Sequence, residues 1–200
     1  MGYLRDLDET DVGPQAQQLF AEERAEQGYV ANYTQLFARR PEVNAAWENL
    51  SGAIRSGMDR RRYHLVTLIA ARGLRSSYCA LAHGSRLAGL VGEQPVADLM
   101  GEPGIDSLSE VDAAVVTLAE RVVRGGAQVT PADIQAARDA GLSDTEIFDV
   151  ILTVAARCFF STVIEATGTE PDAAYRDNVA APLRDLLVVG RPIESPAAVQ

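Results

Sequence analysis

The side chains best able to do chemistry crowd into one stretch of the chain. Residues 63–84, YHLVTLIAARGLRSSYCALAHG, hold both histidines, His64 and His83, and one of the two cysteines, Cys79. Cys79 and His83 are four apart, so on a helix their side chains stand one above the other on the same face. Ser76 is a good N-cap residue, and a helix opened by it puts Cys79 in the first turn. Unpaired N–H groups and the positive end of the helix dipole favour a thiolate there. An imidazole one turn on can hold that thiolate as an ion pair or move a proton to a leaving group. The bland alternative is that the pair arose by chance and Cys79 fills space as a small hydrophobe. Tyr63 and Tyr78 flank the stretch and can line a substrate pocket, although tyrosines so placed are usually packing residues.

The elements that must position these groups all read as helices. Gly13-Pro14 opens a helical run that Arg40-Pro41 stops, and Pro41 starts the next. Val43, Ala46, Trp47, Leu50, Ala53 and Ile54 keep an amphipathic rhythm to Gly57. Trp47 is expected in the core or at an interface. Asp59 caps a segment that is apolar nearly all round to Gly73, which places it at the centre of the fold. The triplet Arg60-Arg61-Arg62 before it reads as a solvated face, with an anionic-substrate or subunit contact as the lesser alternative. A break at Gly73-Leu74-Arg75 precedes the helix from Ser76 to Leu90, and Gly92 to Ile105 reads as connector. Ser109 with Asp112, Thr130 with Asp133 and Ser143 with Glu146 each carry an N-terminal capping signature. The last of these opens a long apolar helix, Ile147 to Ala166. Asp172 to Leu187 reads as a weaker helix and Val188 to Gln200 as a tail. No period-two alternation and no Asn-Gly or Asp-Gly turn occurs. The predicted class is all-α, with about eight helices.

Composition narrows the function classes. With 200 residues, one domain can bury a core without disulfide or metal, and two cysteines rule out a disulfide scaffold or a Cys₄ zinc site. Two histidines are too few for a three-histidine zinc centre, so no metal or other cofactor is expected. A net charge of −10 argues against nucleic acid as a partner. The start, MGYLRDLDETDVG, lacks the apolar run of a signal peptide, and Asp6 breaks the myristoylation pattern. Arg72 and Arg157 interrupt the two best apolar stretches, so no membrane span is expected and the localisation reads as cytoplasmic. No phosphate loop, HExxH or GxSxG appears.

The stretch 63–84 resembles the core motif of the alkylhydroperoxidase D-like branch of the carboxymuconolactone decarboxylase superfamily. That motif is a Glu, eleven residues, then Cys-x-x-Cys-x-x-x-His. The segment from Ser107 to Asp172, beginning SLSEVDAAVV, is similar to the family's peroxidase-related members, so the resemblance spans roughly residues 40–175. It implies an all-helical chain of one domain: N-terminal helices over 1–57, the family core over 58–168, and a C-terminal helix and tail over 169–200. It also implies a homo-oligomer, trimer or hexamer. Cys79 falls on the cysteine taken to attack peroxide and His83 on the motif histidine. Ser76 stands at the resolving cysteine and His64 at the relay glutamate. A hydroxyl cannot form a disulfide, so a sulfenic acid on Cys79 needs another thiol to resolve it. Cys158, in ARCFFSTVIEA, reads as a core residue, with that resolving role as its alternative. The resemblance implies a cysteine-dependent peroxidase or thiol oxidoreductase, with an external thiol as reductant. The alternatives are a lyase or isomerase working by proton transfer on a small carboxylated metabolite, and a non-catalytic metabolite-binding protein.

Overall fold

The computed structural model describes residues 2–5, 7–10 and 12–195, so the readings made on Asp6 and on the tail beyond Ser195 lie outside the described residues. The chain is all-α: eleven α-helices and no strand occur among the described residues. They are α1 Pro14–Gln27, α2 Asn32–Phe37, α3 Pro41–Ser56, α4 Arg60–Gly73, α5 Ser77–Val91, α6 Glu93–Met100, α7 Glu110–Arg124, α8 Pro131–Asp139, α9 Asp144–Ala166, α10 Tyr175–Asn178 and α11 Ala181–Leu187.

The number exceeds the expected eight for three local reasons. Gly28 takes a left-handed conformation (φ 87°) and its N–H closes on Arg24 O, which divides the first run into α1 and α2. The supposed connector after Gly92 contains α6. Pro95 lies in its first turn, where a missing N–H costs nothing, and Val96 and Leu99 are buried. The weak helix over 172–187 divides at Val179, where the backbone is extended. The capping signatures form as read. Thr130 with Asp133 and Ser143 with Glu146 make reciprocal capping boxes, and Ser109 Oγ accepts from Asp112 N.

α4 is the central helix. Every residue from Tyr63 to Ala71 is buried, and α5, α7 and α9 pack around it. Two of the three arginines at its start are not a solvated face. Arg61 grips Asp112 of α7 through two 2.9 Å hydrogen bonds, and Arg62 reaches Glu146 of α9 at 2.6 Å. The helix start is thereby tied to both neighbours. α9 is long and apolar enough to cross a membrane by length and composition alone, but here it packs on α3, α4 and α7 with Arg157 buried at its middle.

The C-terminal segment clasps α5. A Cβ on Gly84 would lie 2.4 Å from Leu187 Cδ2, so only glycine lets α11 approach this closely. Beyond α11, Gly190 N donates to Ser77 Oγ in the first turn of α5 at 2.8 Å.

Candidate functional site

The turn between α4 and α5 brings the two histidines together, with His64 Nδ1 3.0 Å from His83 Nδ1. From the opposite side α9 inserts Arg157, whose Nη2 lies 3.2 Å from His83 Nε2 and whose Nη1 lies 3.5 Å from Cys79 Sγ. One turn on, Ser161 Oγ donates to the same sulfur at 3.2 Å. All five side chains are buried. The Arg157 guanidinium also lies over Trp47 and Phe160, 5.5 and 5.4 Å from the ring centres, and its Nε has no hydrogen-bond partner among the described residues.

These contacts fix the protons on the histidines. A guanidinium only donates, so His83 Nε2 must accept and the ring carries its hydrogen on Nδ1. That hydrogen points at His64 Nδ1, which therefore accepts, leaving the His64 hydrogen on Nε2. Both rings are neutral. Burial is the leading cause: together with the charge of Arg86 it brings His64 down to about 4. Burial, then Arg157, holds His83 well below the ordinary imidazole value. The sequence reading offers His83 as the cationic partner of a Cys79 thiolate or as a carrier of its proton; in the structure the cation beside the Cys79 sulfur is Arg157.

A pH dependence of stability follows. The unfolded chain protonates its histidines near 6.5, whereas folded His64 takes a proton only near 4. Between those values the unfolded state binds more protons, so stability is full above about pH 6.5 and falls as the pH drops toward 4. Thermal melts across this range are expected to show that decline, and His64→Gln to flatten it. An identical slope in the variant would contradict the assignment.

Cys79, His64, His83, Arg157, Tyr63 and Tyr78 share one cavity of about 700 Å³. Both tyrosines are fastened: Tyr63 Oη lies 3.1 Å from Ser51 Oγ, and Tyr78 Oη donates to Asp172. Asp172 also accepts from Asn32 N at 2.7 Å, while burial raises its carboxyl above the usual range. Ser76 is not part of this arrangement. It is fully buried but lies outside the cavity lining, toward the Glu165 carboxyl, with its Oγ lacking a well-formed hydrogen bond. Cys158 also lies outside the lining. It is half-buried against the core, and burial pushes its thiol up. α9 turns Arg157 and Ser161 toward Cys79, and position 158 is rotated about 100° from Arg157. Among the described residues, no three His, Cys, Asp or Glu side chains gather as a metal site.

Sequence reasoning missed Arg157, Ser161 and Asp172. Arg157 had a signal: it is the lone charge inside ILTVAARCFFSTVI, and a charge within a buried helix requires partners. Ser161 and Asp172 had none, because their roles depend on how α9 and the segment after it are set against α5.

No family model and no curated protein matches the sequence. Among solved structures, an uncharacterised peroxidase-related protein from Silicibacter sp. TM1040 superposes with a TM-score of 0.75 at 22% identity, over 87% of this chain and 93% of that one. An alkylhydroperoxidase AhpD core protein from Ralstonia eutropha JMP134 gives 0.71 at 19% identity, over 87% and 94%. The debrominase Bmp8 gives 0.70 at 15% identity, over 91% and 96%. The chain has the fold that these three proteins share.

Proposed function

We propose that this protein is a single-cysteine, thiol-dependent oxidoreductase that reduces an organic hydroperoxide at Cys79. The observation that carries the reading is the sulfur itself, set at a cavity wall with Arg157 and Ser161 both donating to it. Donors aimed at sulfur hold an anion, and the first turn of α5 adds its own N–H groups. The shared fold with peroxidase-related proteins supports the same reading.

In the first step the Cys79 sulfur attacks the outer oxygen of the hydroperoxide. An S–O bond forms, the O–O bond breaks, and its electron pair leaves on the alkoxide. That oxygen takes up the proton lost when Cys79 ionised, and the product is an alcohol. His64 lines the cavity, and its Nε2–H is the hydrogen left free to reach the leaving oxygen. Arg157 stays charged and stabilises the charge passing between sulfur and oxygen. In the second step an external thiol attacks the sulfenic sulfur and water departs. A second thiol then releases Cys79 and leaves as a disulfide. The partner thiol comes from outside because Ser76 has no sulfur and Cys158 lies outside the cavity.

The debrominase that shares the fold, a C82A form of which has been solved in complex with 2,3,4-tribromopyrrole, favours a second reading, in which a halogenated aromatic replaces the hydroperoxide at the same sulfur; halide release separates the two. The decarboxylase-like reading differs more, since proton-transfer turnover would survive loss of the thiol.

The test is mass spectrometry after one equivalent of cumene hydroperoxide. We expect one added oxygen on Cys79, trapped as a thioether by dimedone in one sample and, in a sample without dimedone, removed by an excess of monothiol. No addition, or equal addition at Cys158, would overturn the proposal.

A further inference from the structure

The protein contains no lysine, so all eighteen of its cationic side chains are arginine. Ten of them hold a carboxylate within ion-pair distance among the described residues. Of the eight that do not, four line the Cys79 cavity: Arg55, Arg60, Arg86 and Arg157. Arg157 is accounted for by the sulfur and His83. The other three are exposed, come from three different helices (α3, α4 and α5), and form neither hydrogen bond nor ion pair among the described residues. Among the described residues the cavity has one lining acid, Glu48, whose carboxylate already accepts from Asn44 Nδ2 at 3.0 Å. A chain with a net charge of −10 thus concentrates unpaired positive charge at one opening. The field reaches the interior, because Arg86, Arg60 and Arg55 all contribute to the lowered proton affinity of His64.

Below that rim one part of the wall is aromatic, beside a polar part formed by Arg157 and the two histidines. Trp47 stacks on Phe160 with ring centres 5.1 Å apart, and Tyr33 and Tyr175 face the same space. About 700 Å³ is far more than hydrogen peroxide needs and suits an organic molecule of moderate size. Arginine forks match carboxylate geometry, and a low-dielectric cleft focuses their field on an incoming anion.

We infer that the substrate is an organic acid with a flat apolar body, its carboxylate held by Arg55, Arg60 and Arg86 and its body against Trp47 and Phe160. The orientation leaves the end remote from the carboxylate to meet Cys79 Sγ. This rests on the reading of the cavity as the substrate site, but its test measures binding without turnover. Failure here therefore leaves the sulfenic acid result standing, and the reverse also holds.

Trp47 is the only tryptophan in the chain, so its fluorescence reports occupancy of this cavity directly. The probes are 3-phenylpropionate and its neutral isostere 3-phenylpropionamide, titrated by calorimetry and by Trp47 emission. We expect the acid to bind about tenfold more tightly than the amide, a preference that shrinks as salt is raised. In the triple variant Arg55→Gln, Arg60→Gln, Arg86→Gln the preference should fall to within about twofold, with amide affinity unchanged. The rim residues are exposed, and the salt and isostere comparisons use the unaltered protein, so the test stands even if the variant folds poorly. Equal binding of acid and amide, no binding of either at millimolar concentration, or a preference that survives in a folded triple variant would overturn the inference.

Discussion

Replacing Cys79 by serine is expected to reduce thiol-dependent hydroperoxide consumption by at least about a thousandfold, while Cys158→Ser stays within about twofold of the native rate. The difference comes from position. Cys79 Sγ borders the cavity and receives hydrogen bonds from Arg157 and Ser161. Cys158 sits on α9 outside the cavity, with its thiol pushed up by burial. A serine hydroxyl at 79 keeps the shape and accepts the same hydrogen bonds, yet it has no sulfur to oxidise. Peroxide consumption with several thiol donors checks this. Retained turnover in Cys79→Ser would move the chemistry away from the thiol and toward proton transfer at the histidine pair.

The second large effect is expected at Arg157, where stability and reactivity should part. The side chain is 6% exposed and has no carboxylate partner among the described residues. Removing a guanidinium from water costs several kcal/mol, by a general estimate of about that order, and hydrogen bonds to a neutral ring and a sulfur offset only part of it. Arg157→Met keeps a long flexible side chain against Trp47 and Phe160, where a thioether packs well. We expect a melting temperature equal to or above that of the native protein, despite about 1 kcal/mol lost at His83 Nε2. Sulfenic acid formation should meanwhile fall by about two to three orders of magnitude, because the positive charge at the sulfur is gone. Melting curves and single-turnover oxidation rates together check the pair of outcomes. A destabilisation above about 3 kcal/mol would mean that Arg157 serves the fold rather than the reaction.

Much of the arrangement was legible because it is local. The cap residues Ser109, Thr130 and Ser143 announce α7, α8 and α9, since a hydroxyl three residues before an acid satisfies N–H groups at a helix start. The four-residue spacing of Cys79 and His83 put both on one face of α5, and both line the cavity. What failed was of two kinds. The single run from Gly13-Pro14 to Arg40 and the connector reading of Gly92 to Ile105 both overlook where a residue falls in a helix: Gly28 ends α1, and Pro95 belongs to the opening turn of α6. Relations between distant helices had no local signature at all. The rotation of α9 that sends Arg157 and Ser161 to Cys79, and leaves Cys158 aside, is set by packing against α3, α4 and α7. Likewise Ser76 lies one turn from Cys79 in sequence, but the helix start turns it toward Glu165 and away from the cavity.

The contact of Gly84 with Leu187, and of Gly190 with Ser77, has a consequence for the order in which the protein is made. Every residue that lines the cavity precedes position 176 in the chain, so all of them leave the ribosome before Leu187 and Gly190. Until those two residues dock, the helix bearing the thiol lacks its clasp, and its first turn lacks the hydrogen bond at Ser77. The nucleophile is therefore not finished until the chain has been made through Gly190. A nascent chain cut short before α11 would carry every reactive group and still lack the packing that sets them in register.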